Sequence, residues 1–350
     1  MGKVCSFRKG YGIAKDDLSS DGTPCILYGE LYTTYKTAIA KTIKSKTSIQ
    51  SKSLVYSQKD DVIIPCSGET AEDIATSICV PYDGVLLGGD LTVVHSDLDG
   101  AFLSNQINSV RKYDIARIAQ GKSIVHLQAD ELKKIFIFYP SIQEQRKISA
   151  FIDKIDERIE IQNKIISNYE TLIKGLCDMI FRHNKSVSLS DLVKCKTSAL
   201  QENTVSTCHR GEYKVLGASG AIAAIDTYQF EESGILVLKD GSKAGKIQFA
   251  QGKYSVVGTS VVLIPNEACD ARYLYFAMSS IDFEKYKVGS GIPHIYFKDY
   301  SNERIYYPEK ALRKKIIKTL DFYETRVEIE REMLSAMQKQ KAFLLQSMFI

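Results

Sequence analysis

The sequence lacks an apolar run of the ~18 residues that a membrane-spanning helix needs. Its N-terminus, Met1-Gly2-Lys3-Val4-Cys5, has neither the apolar core of a secretory signal peptide nor a myristoylation motif. These absences exclude a helical membrane protein, and we expect the chain to be cytoplasmic.

Closely spaced cysteine pairs are also absent. The eight cysteines are scattered through 350 residues and none forms a C-x-x-C pair. Zinc sites use closely spaced ligand pairs, and disulfide-stabilised secreted proteins are short and rich in cysteine. We therefore predict no metal site and expect reduced, partly buried thiols.

A global positive field is missing as well. The chain has 46 basic and 42 acidic residues, but residues 1–140 carry 16 of each sign and residues 186–307 carry 13 of each. Any contact with nucleic acid must therefore come from local patches. The hydrophobic content of 44% is ordinary for a chain with buried cores, and the length allows two globular domains.

Motifs for chemistry on DNA are absent. No Pro-Pro occurs, so the Asn/Asp-Pro-Pro-aromatic loop of adenine methyltransferases is missing. The segment 241–246 resembles a phosphate-binding loop, but Ile247 stands where that motif needs Ser or Thr. Asp83 with Glu131 and Lys133 is only a loose match to a nuclease site. We predict no catalytic residue and no cofactor in this chain.

What the chain does contain is an internal repeat. Residues 121–181 align without gaps on residues 289–349, at a constant offset of 168. The matches include Gly121 with Gly289, Ile124 with Ile292, His126 with His294, Pro140 with Pro308, and Phe181 with Phe349. Repeats define architecture and are the first feature to settle. For the two histidines we favour a packing or turn-stabilising role over a DNA-facing one.

Each copy changes character at its proline. The β-branched and aromatic residues 132–139 predict a strand, and Ser141 with Glu144 forms a capping box. Apolar residues then follow a heptad seam from Ile148 to Ile180, which predicts a helix of ~38 residues, roughly 57 Å long. The second copy keeps the same spacing. Since the first helix leads into the second domain and the second helix leaves it, we expect the two to pack antiparallel.

One layer of each seam is polar, at Gln162 and at Glu330. A polar seam residue sets helix register at some cost in stability. The alternative is that this layer, together with Lys341, faces a partner protein. Both interpretations remain open at this stage.

Residues 1–120 and 186–288 have little mutual similarity, although both contain a helical stretch, near 101–119 or 271–285. Both also contain short β-like runs, which predict strands at 61–65, 84–94, 234–238 and 255–264. We predict an α+β fold with a pseudo-two-fold internal repeat: two globular α/β domains separated by two long antiparallel coiled-coil helices. The predicted segments are 1–140, 141–185, 186–307 and 308–350.

Three places in these domains suit DNA contacts. No acid occurs between Glu30 and Asp60, a segment that contains several lysines. Lysine and hydroxyl side chains can contact phosphates. The alternative is an ordinary solvated loop. The candidates are Lys36, Lys41, Lys44, Lys46 and Lys52 in that segment, Lys239, Ser242, Lys243 and Lys246 in a basic glycine turn, and Ser219 in a small-residue turn.

The pattern resembles the specificity subunits of type I restriction-modification enzymes. The resemblance is carried by the segments 121–148 and 289–349, by the helix ending at Phe181, and by the N-terminal segments 7–13 and 22–31. It implies two target-recognition domains that each read half of a split sequence in double-stranded DNA, with half-site centres ~34 Å apart.

The resemblance further implies two modification subunits and restriction/translocase subunits as partners. S-adenosylmethionine, ATP and Mg²⁺ belong to those partners. We expect the modification subunits to dock at Glu144, Gln145, Gln162, Glu330 and Lys341. A stand-alone DNA methyltransferase or nuclease, or a coiled-coil protein that never binds DNA, are the alternatives.

Two departures from the family pattern stand out. After Pro308 the chain has Lys310, Leu312 and Arg313 in place of the Glu-Gln pair, so the two docking surfaces need not be equivalent. The second domain also has a lead-in, residues 188–193, that the first lacks.

Overall fold

The computed structural model describes residues 1–121, 124–205, 208, 210–267, 270–289 and 291–349. The chain forms two compact units. Unit 1 comprises Met1–Asn163 and Glu332–Ile350, and unit 2 comprises Lys164–Arg331. Each unit therefore contains a globular part and a portion of both long helices.

Unit 1 opens with short strands and helices that lead to the first long helix. Its elements are β1 (Cys5–Lys9), β2 (Leu18–Ile26), α1 (Glu30–Thr33), β3 (Ser45–Thr47), β4 (Asp61–Pro65), β5 (Ser67–Gly68), α2 (Ala71–Ile74), β6 (Ile78–Val80), β7 (Leu86–Leu87), β8 (Leu91–Ser96), α3 (Gly100–Asn108), α4 (Lys112–Ile118), β9 (Val125–His126), α5 (Ala129–Leu132) and α6 (Ile142–Phe181).

The main sheet of unit 1 has the order β1-β8-β4-β6 and is antiparallel. Every residue of β4 is buried, because apolar clusters cover both faces of the sheet. Val62 and Ile64 lie in one cluster, and Ile63 lies in the other. Among the described residues of unit 1, the remaining strands form a second sheet, β3-β2-β7, and the pair β5-β9.

Unit 2 repeats this arrangement with unlike sequence. Its elements are β10 (Val187–Ser188), α7 (Leu189–Leu192), β11 (Val193–Thr197), α8 (Glu202–Val205), β12 (Tyr213–Gly217), β13 (Gly220–Ile225), β14 (Gly234–Leu238), β15 (Ile247–Ala250), β16 (Tyr254–Val256), β17 (Ser260–Pro265), α9 (Ala271–Met278), α10 (Phe297–Tyr300), β18 (Arg304–Ile305) and α11 (Lys310–Met348).

The main sheet of unit 2 has the order β11-β17-β14-β15, and a smaller sheet has the order β13-β12-β16. In both main sheets a central, fully buried strand, β4 or β14, lies beside the strand that precedes a short helix. The two unlike segments of sequence therefore build one common frame. The strands predicted at 61–65 and 234–238 are confirmed.

The two long helices are confirmed, at 40 and 39 residues. In unit 1, Ile152 shares a cluster with Phe349, and Asp156 pairs with Lys341. In unit 2, Glu170 pairs with Arg331, while Phe181 shares a cluster with Leu320 and Ile316. In each unit the residue numbers on one helix fall as those on the other rise, so the portions run antiparallel, as predicted.

The strand predicted at 132–139 is wrong. Residues 129–132 are the helix α5, and residues 135–141 are not in a strand. In unit 2 the equivalent residues 304–305 form β18 because β10 pairs with them. In unit 1 the N–H of Gly2 donates to Lys133 O, as that of Ser190 donates to Ser301 O in unit 2. Among the described residues of unit 1, no strand pairs with residues 135–139.

The predicted start of α6 is confirmed in part. The helix begins at Ile142, and the N–H of Glu144 donates to Ser141 Oγ at 3.4 Å. The carboxylate of Glu144 lies 3.7 Å from the Lys147 ammonium, so it serves an ion pair within the helix.

Among the described residues, no helix is long and apolar enough to cross a membrane, and no group of three or more metal-ligating side chains occurs. Seven of the cysteines are free thiols, and Cys269 lies outside the described residues. Burial raises the pKa of the Cys25 thiol to about 11, so this side chain is protonated at neutral pH. The four-segment domain division remains a prediction from the sequence.

Candidate nucleic-acid interface and helix anchors

The main sheet of each unit has two ends with different neighbours. The antiparallel register places the last residues of β8 beside the first residues of β4, and the end of β17 beside the start of β14. Asp99 and Asp270, which follow β8 and β17, each precede a short helix. We call this the helix end of the unit, because both aspartates contact a long helix. The carboxyl ends of β4 and β14 mark the opposite, loop end.

At the helix end of unit 1, Gln145 joins two segments. Its Nε2 donates to Pro140 O at 2.8 Å, and the N–H of Asp99 donates to its Oε1 at 3.0 Å. The Asp99 carboxylate accepts from Ser149 Oγ at 2.6 Å. Because Gln145 is only 1% exposed and bonded within unit 1, its burial disfavours the docking role predicted for it.

In unit 2, Arg313 joins the equivalent two segments through charged contacts. It is the repeat equivalent of Gln145, and its Nη1 donates to Pro308 O at 2.7 Å. Its Nε and Nη2 donate to the two carboxylate oxygens of Asp270 at 2.9 and 3.0 Å. The guanidinium also lies 4.1 Å from the centre of the Tyr307 ring. The departure noted in the sequence therefore preserves the anchor rather than removing it.

A second pair of anchors uses a repeated aspartate. In unit 1, Asp153 accepts from the Lys41 ammonium at 2.6 Å, and Glu157 lies 3.0 Å from the same ammonium. In unit 2, Asp321, the repeat equivalent of Asp153, accepts from Arg272 at 2.5 Å. The aspartate thus lies at the same position of both long helices, whereas its basic partner comes from a different element of each module. Lys41 thus binds the long helix, which favours a structural role over the predicted DNA contact.

The polar layer of the seams is buried. Gln162 is 4% exposed and Glu330 is 7% exposed, and Glu330 accepts from Arg326 at 3.2 Å. Lys341 forms an ion pair with the largely buried Asp156. Burial raises the pKa of Asp156, and the Lys341 ammonium opposes that rise. These contacts favour the register-setting interpretation over the partner-facing one. Of the five predicted docking residues, Glu144 is the one with an exposed side chain.

At the loop end of unit 2, three predicted candidates come together. The turn 239–246 is closed by the N–H of Gly245, which donates to Leu238 O at 2.7 Å. Lys246 Nζ donates to Ala218 O at 3.3 Å, which places Ser219 beside this turn. The side chains of Ser219, Ser242, Lys243 and Lys246 are exposed, and Lys239 is partly exposed. The structure therefore gathers the candidates of unit 2 on one surface.

At the loop end of unit 1, the clearest candidate is Lys36. Its Nζ donates to Tyr32 O at 3.4 Å, and Tyr32 Oη donates to Ser67 O at 2.7 Å, directly after β4. Lys46 lies on β3, in the sheet whose strand β7 leads into β8. Lys36, Lys44, Lys46 and Lys52 are exposed.

The repeated histidines lie at the loop end of both units. His126 Nδ1 is 3.1 Å from Ser67 Oγ, and His294 Nδ1 is 2.8 Å from Asp240 Oδ1. Each histidine thus fixes the repeated segment to the loop that follows the central strand. This geometry supports the turn-stabilising role.

The long helices also present an exposed apolar surface that the heptad seams did not predict. Several large apolar side chains of the long helices are exposed, although such residues are usually buried. Their sequence signal is an apolar residue placed off the seam. In unit 1 these are Phe151 at 49%, Ile161 at 56%, Met333 at 44% and Phe343 at 68%, and in unit 2 they are Leu172 at 41%, Met179 at 68%, Leu312 at 37%, Phe322 at 61% and Ile329 at 40%.

Comparison with known proteins identifies the family. The sequence matches the family described as "Type I restriction modification DNA specificity domain" over residues 1–170 and 182–338. The chain therefore belongs to this family, which confirms the resemblance inferred from the repeat.

The chain is also similar to individual members. It is 27% identical over 122 residues to the type I restriction enzyme MjaVIII specificity subunit of Methanocaldococcus jannaschii. That match spans 34% of this chain and 28% of the relative's length.

Two solved structures share the fold over nearly the whole chain. The S subunit of a type I restriction-modification system from M. genitalium matches with a TM-score of 0.65 at 15% identity, covering 100% of this chain and 94% of that one. A chain from a structural study of the assembly and conformational transition of a type I system matches with a TM-score of 0.58 at 16% identity, covering 99% and 96%. These likenesses confirm the α+β fold with two long helices.

Proposed function

We propose that the chain acts as the DNA specificity subunit of a type I restriction-modification system and that each unit reads one half of a bipartite target. The observation that carries this is the common frame of the two units. Equivalent strands, helices and anchors position loops whose residues differ, as expected if the geometry is held constant while the sequence preference changes.

The loop end of each unit is the proposed DNA-contacting surface. Exposed lysines and serines there can contact phosphates and fix the register of the protein on the duplex. Bases are distinguishable in the major groove, where side chains of the unlike loops would read them. Lys41 is left out of this surface because its ammonium is held by Asp153. The contributing residues are Lys36, Lys44, Lys46, Lys52, Lys239, Ser242, Lys243, Lys246 and Ser219.

The long helices are the proposed docking surface for two modification subunits. Interfaces are enriched in aromatic residues and methionine, and the exposed Phe151, Phe322, Phe343 and Met179 fit that composition. The pair Ile161 and Ile329 is exposed at the same position of both helices, so equivalent contacts with two copies of one subunit are possible. Restriction/translocase subunits would join the same complex. Adenine methylation and ATP-driven cleavage would belong to the partner subunits, which bind S-adenosylmethionine, ATP and Mg²⁺.

Selection from a pool of random duplexes tests this function. The chain with its modification subunits should enrich sequences in which two short specific segments flank unread bases. The absence of any split consensus, with and without the modification subunits, would contradict the proposal. Methyl transfer to DNA by the purified chain alone would support a stand-alone methyltransferase instead.

A further inference from the structure

The repeated segment begins with a loop that has the same closure in both units. In unit 1, Gln120 and His126 exchange two backbone hydrogen bonds, of 2.9 and 2.7 Å. In unit 2, Val288 and His294 exchange the equivalent pair, of 2.9 and 2.8 Å. We call residues 120–121 with 124–126, and residues 288–289 with 291–294, the repeated loops.

Both loops depend on a glycine at the same position. Gly121 has φ of 140° and Gly289 has φ of 97°, a region that side chains disfavour. A Cβ on Gly121 would lie 2.0 Å from Ile124 O, and one on Gly289 would lie 2.8 Å from Ile292 O. The sequence thus keeps a specific loop shape in two modules that otherwise differ.

Each loop presents an isoleucine to solvent. Ile124 is 59% exposed and Ile292 is 63% exposed. One exposed isoleucine is ordinary on a protein surface. The recurrence of an isoleucine at this position of the repeated segment is not explained by core packing, because neither side chain is buried. A ligand feature common to both modules would explain their recurrence.

The position of the loops indicates which ligand that is. His126 holds one loop against Ser67, directly after β4, and His294 holds the other against Asp240, within the basic turn of unit 2. The N–H of Gly241 also donates to Pro293 O at 2.9 Å. Both isoleucines therefore lie at the loop end.

The long helices contact the opposite end of the sheet, at Asp99 and Asp270. The central strand between the two ends has five residues, a length of roughly 16 Å. A partner that docks on the helices is therefore less suited to reach Ile124 or Ile292 than a duplex lying on the lysine-bearing surface.

We propose that Ile124 and Ile292 are apolar wedges that contact the DNA duplex in the minor groove without reading its sequence. This inference rests on the proposed function. Apolar side chains inserted between base steps are a known means of minor-groove contact, and the neighbouring lysines would neutralise the flanking phosphates. Because the same residue serves both modules, it cannot distinguish one half-site from the other. This isoleucine would add affinity for any duplex, whereas the unlike loops would determine which base sequence is preferred.

The test measures binding of the complex of this chain with its modification subunits to a cognate duplex and to a random duplex. I124A and I292A should each weaken both affinities about tenfold, and the double variant about 100-fold, the scale expected when a buried isoleucine loses its apolar contact. The consensus enriched from a random pool should stay unchanged. I124M with I292M keeps the apolar surface and should bind within about twofold of the original chain.

The control is F136A, which removes an apolar side chain that is 80% exposed and belongs to neither the proposed DNA-contacting surface nor the proposed docking surface. Measured at saturating modification subunit, this control should retain the DNA affinity. Thermal unfolding of all five variants should match that of the original chain, since exposed side chains contribute little to the fold.

The possible outcomes separate the two proposals. If the original complex prefers no sequence, the proposed function fails. If the original complex is selective but the I124A/I292A variant binds both duplexes with unchanged affinity, the inference that these isoleucines contact DNA is wrong and the proposed function is retained. A loss confined to the cognate duplex would make the loops readers of bases, and a loss of modification-subunit binding would make them a protein contact. Either result would overturn the inference.

Discussion

Arg313 and Asp270 form a two-point ion pair that is almost completely buried, with side chains 8% and 4% exposed. The pair occupies the position that Gln145 and Asp99 hold in unit 1. One anchor is neutral and the other is charged, yet both join the residue that precedes a short helix to the carbonyl of the repeated proline. The two modules are thus fixed to the helices by equivalent contacts of unequal sensitivity to mutation.

Arg313→Ala should destabilise unit 2 severely. Removal of one partner leaves the Asp270 carboxylate buried without its cation, a change that costs about 3–5 kcal/mol. Chemical denaturation with a probe in unit 2 measures the loss. A change below about 1 kcal/mol would mean that the pair contributes little in solution.

Two variants control this prediction. Gln145→Ala, in unit 1, leaves only neutral groups unpaired and should cost about 1–3 kcal/mol. The double variant R313Q/D270N removes both charges, so it should recover most of the stability that Arg313→Ala loses. If the double variant is as unstable as the single one, the buried charge is not the cause.

The lysines of the basic segment should separate into two classes. Lys46→Ala or Lys243→Ala should make the slope of log affinity against log salt less negative by about 0.9 for each lost phosphate contact. Lys41→Ala should leave that slope unchanged, because its ammonium is held by Asp153 and Glu157. The loss of this partly exposed pair should cost at most about 1 kcal/mol of unit stability. Equal slope changes for Lys41 and Lys46 would contradict the assignment.

Phe343→Ala should weaken binding of the modification subunit while leaving the fold intact. The ring is 68% exposed, so its removal creates no cavity. An aromatic residue at the centre of an interface contributes about 2 kcal/mol or more, which corresponds to about 30-fold in affinity. Titration of labelled modification subunit measures the change. Val327→Ala, at a buried seam position, is the contrasting control, since it should lower stability before it affects docking.

The long helices could be predicted closely because their signal is local. A heptad seam, a capping serine and a terminal phenylalanine are all read within one segment, and both helices follow that seam. The short helices near 101–119 and 271–285 were also predictable, although the first divides into α3 and α4. The periodicity allowed two interpretations of Gln162 and Glu330, a buried register-setting layer and a partner-facing layer, and it could not decide between them.

The strand at 132–139 was predicted wrongly because a strand needs a partner that sequence alone does not supply. The same residues of the repeat form β18 in unit 2, where β10 lies beside them. In unit 1, Phe136 and Phe138 are 80% and 59% exposed. The first copy has Phe136 where the second has Arg304, so its local β-propensity is no lower, and the pairing decided the outcome.

The site residues were harder to predict, because the role of a side chain depends on which segment folds against it. Lys41 and Lys46 are indistinguishable in a lysine-rich stretch, yet one faces the acids of α6 and the other faces solvent. Arg313 looked like a loss of the Glu-Gln pair, but it performs the role of Gln145 because Asp270 supplies a carboxylate. Ile124 and Ile292 were visible as matches of the repeat, but their exposure was not.

Exchange of the second module tests the central claim most directly. Residues 186–288 would be replaced by the corresponding residues of another family member, except that Asp270 and Arg272 are kept as the anchor partners of Arg313 and Asp321. The repeated segments and the modification subunits would be unchanged. Selection from random duplexes should then yield a consensus in which one half is new and the other half is retained. A change in both halves, or in neither, would contradict the account of two independent readers on one repeated frame.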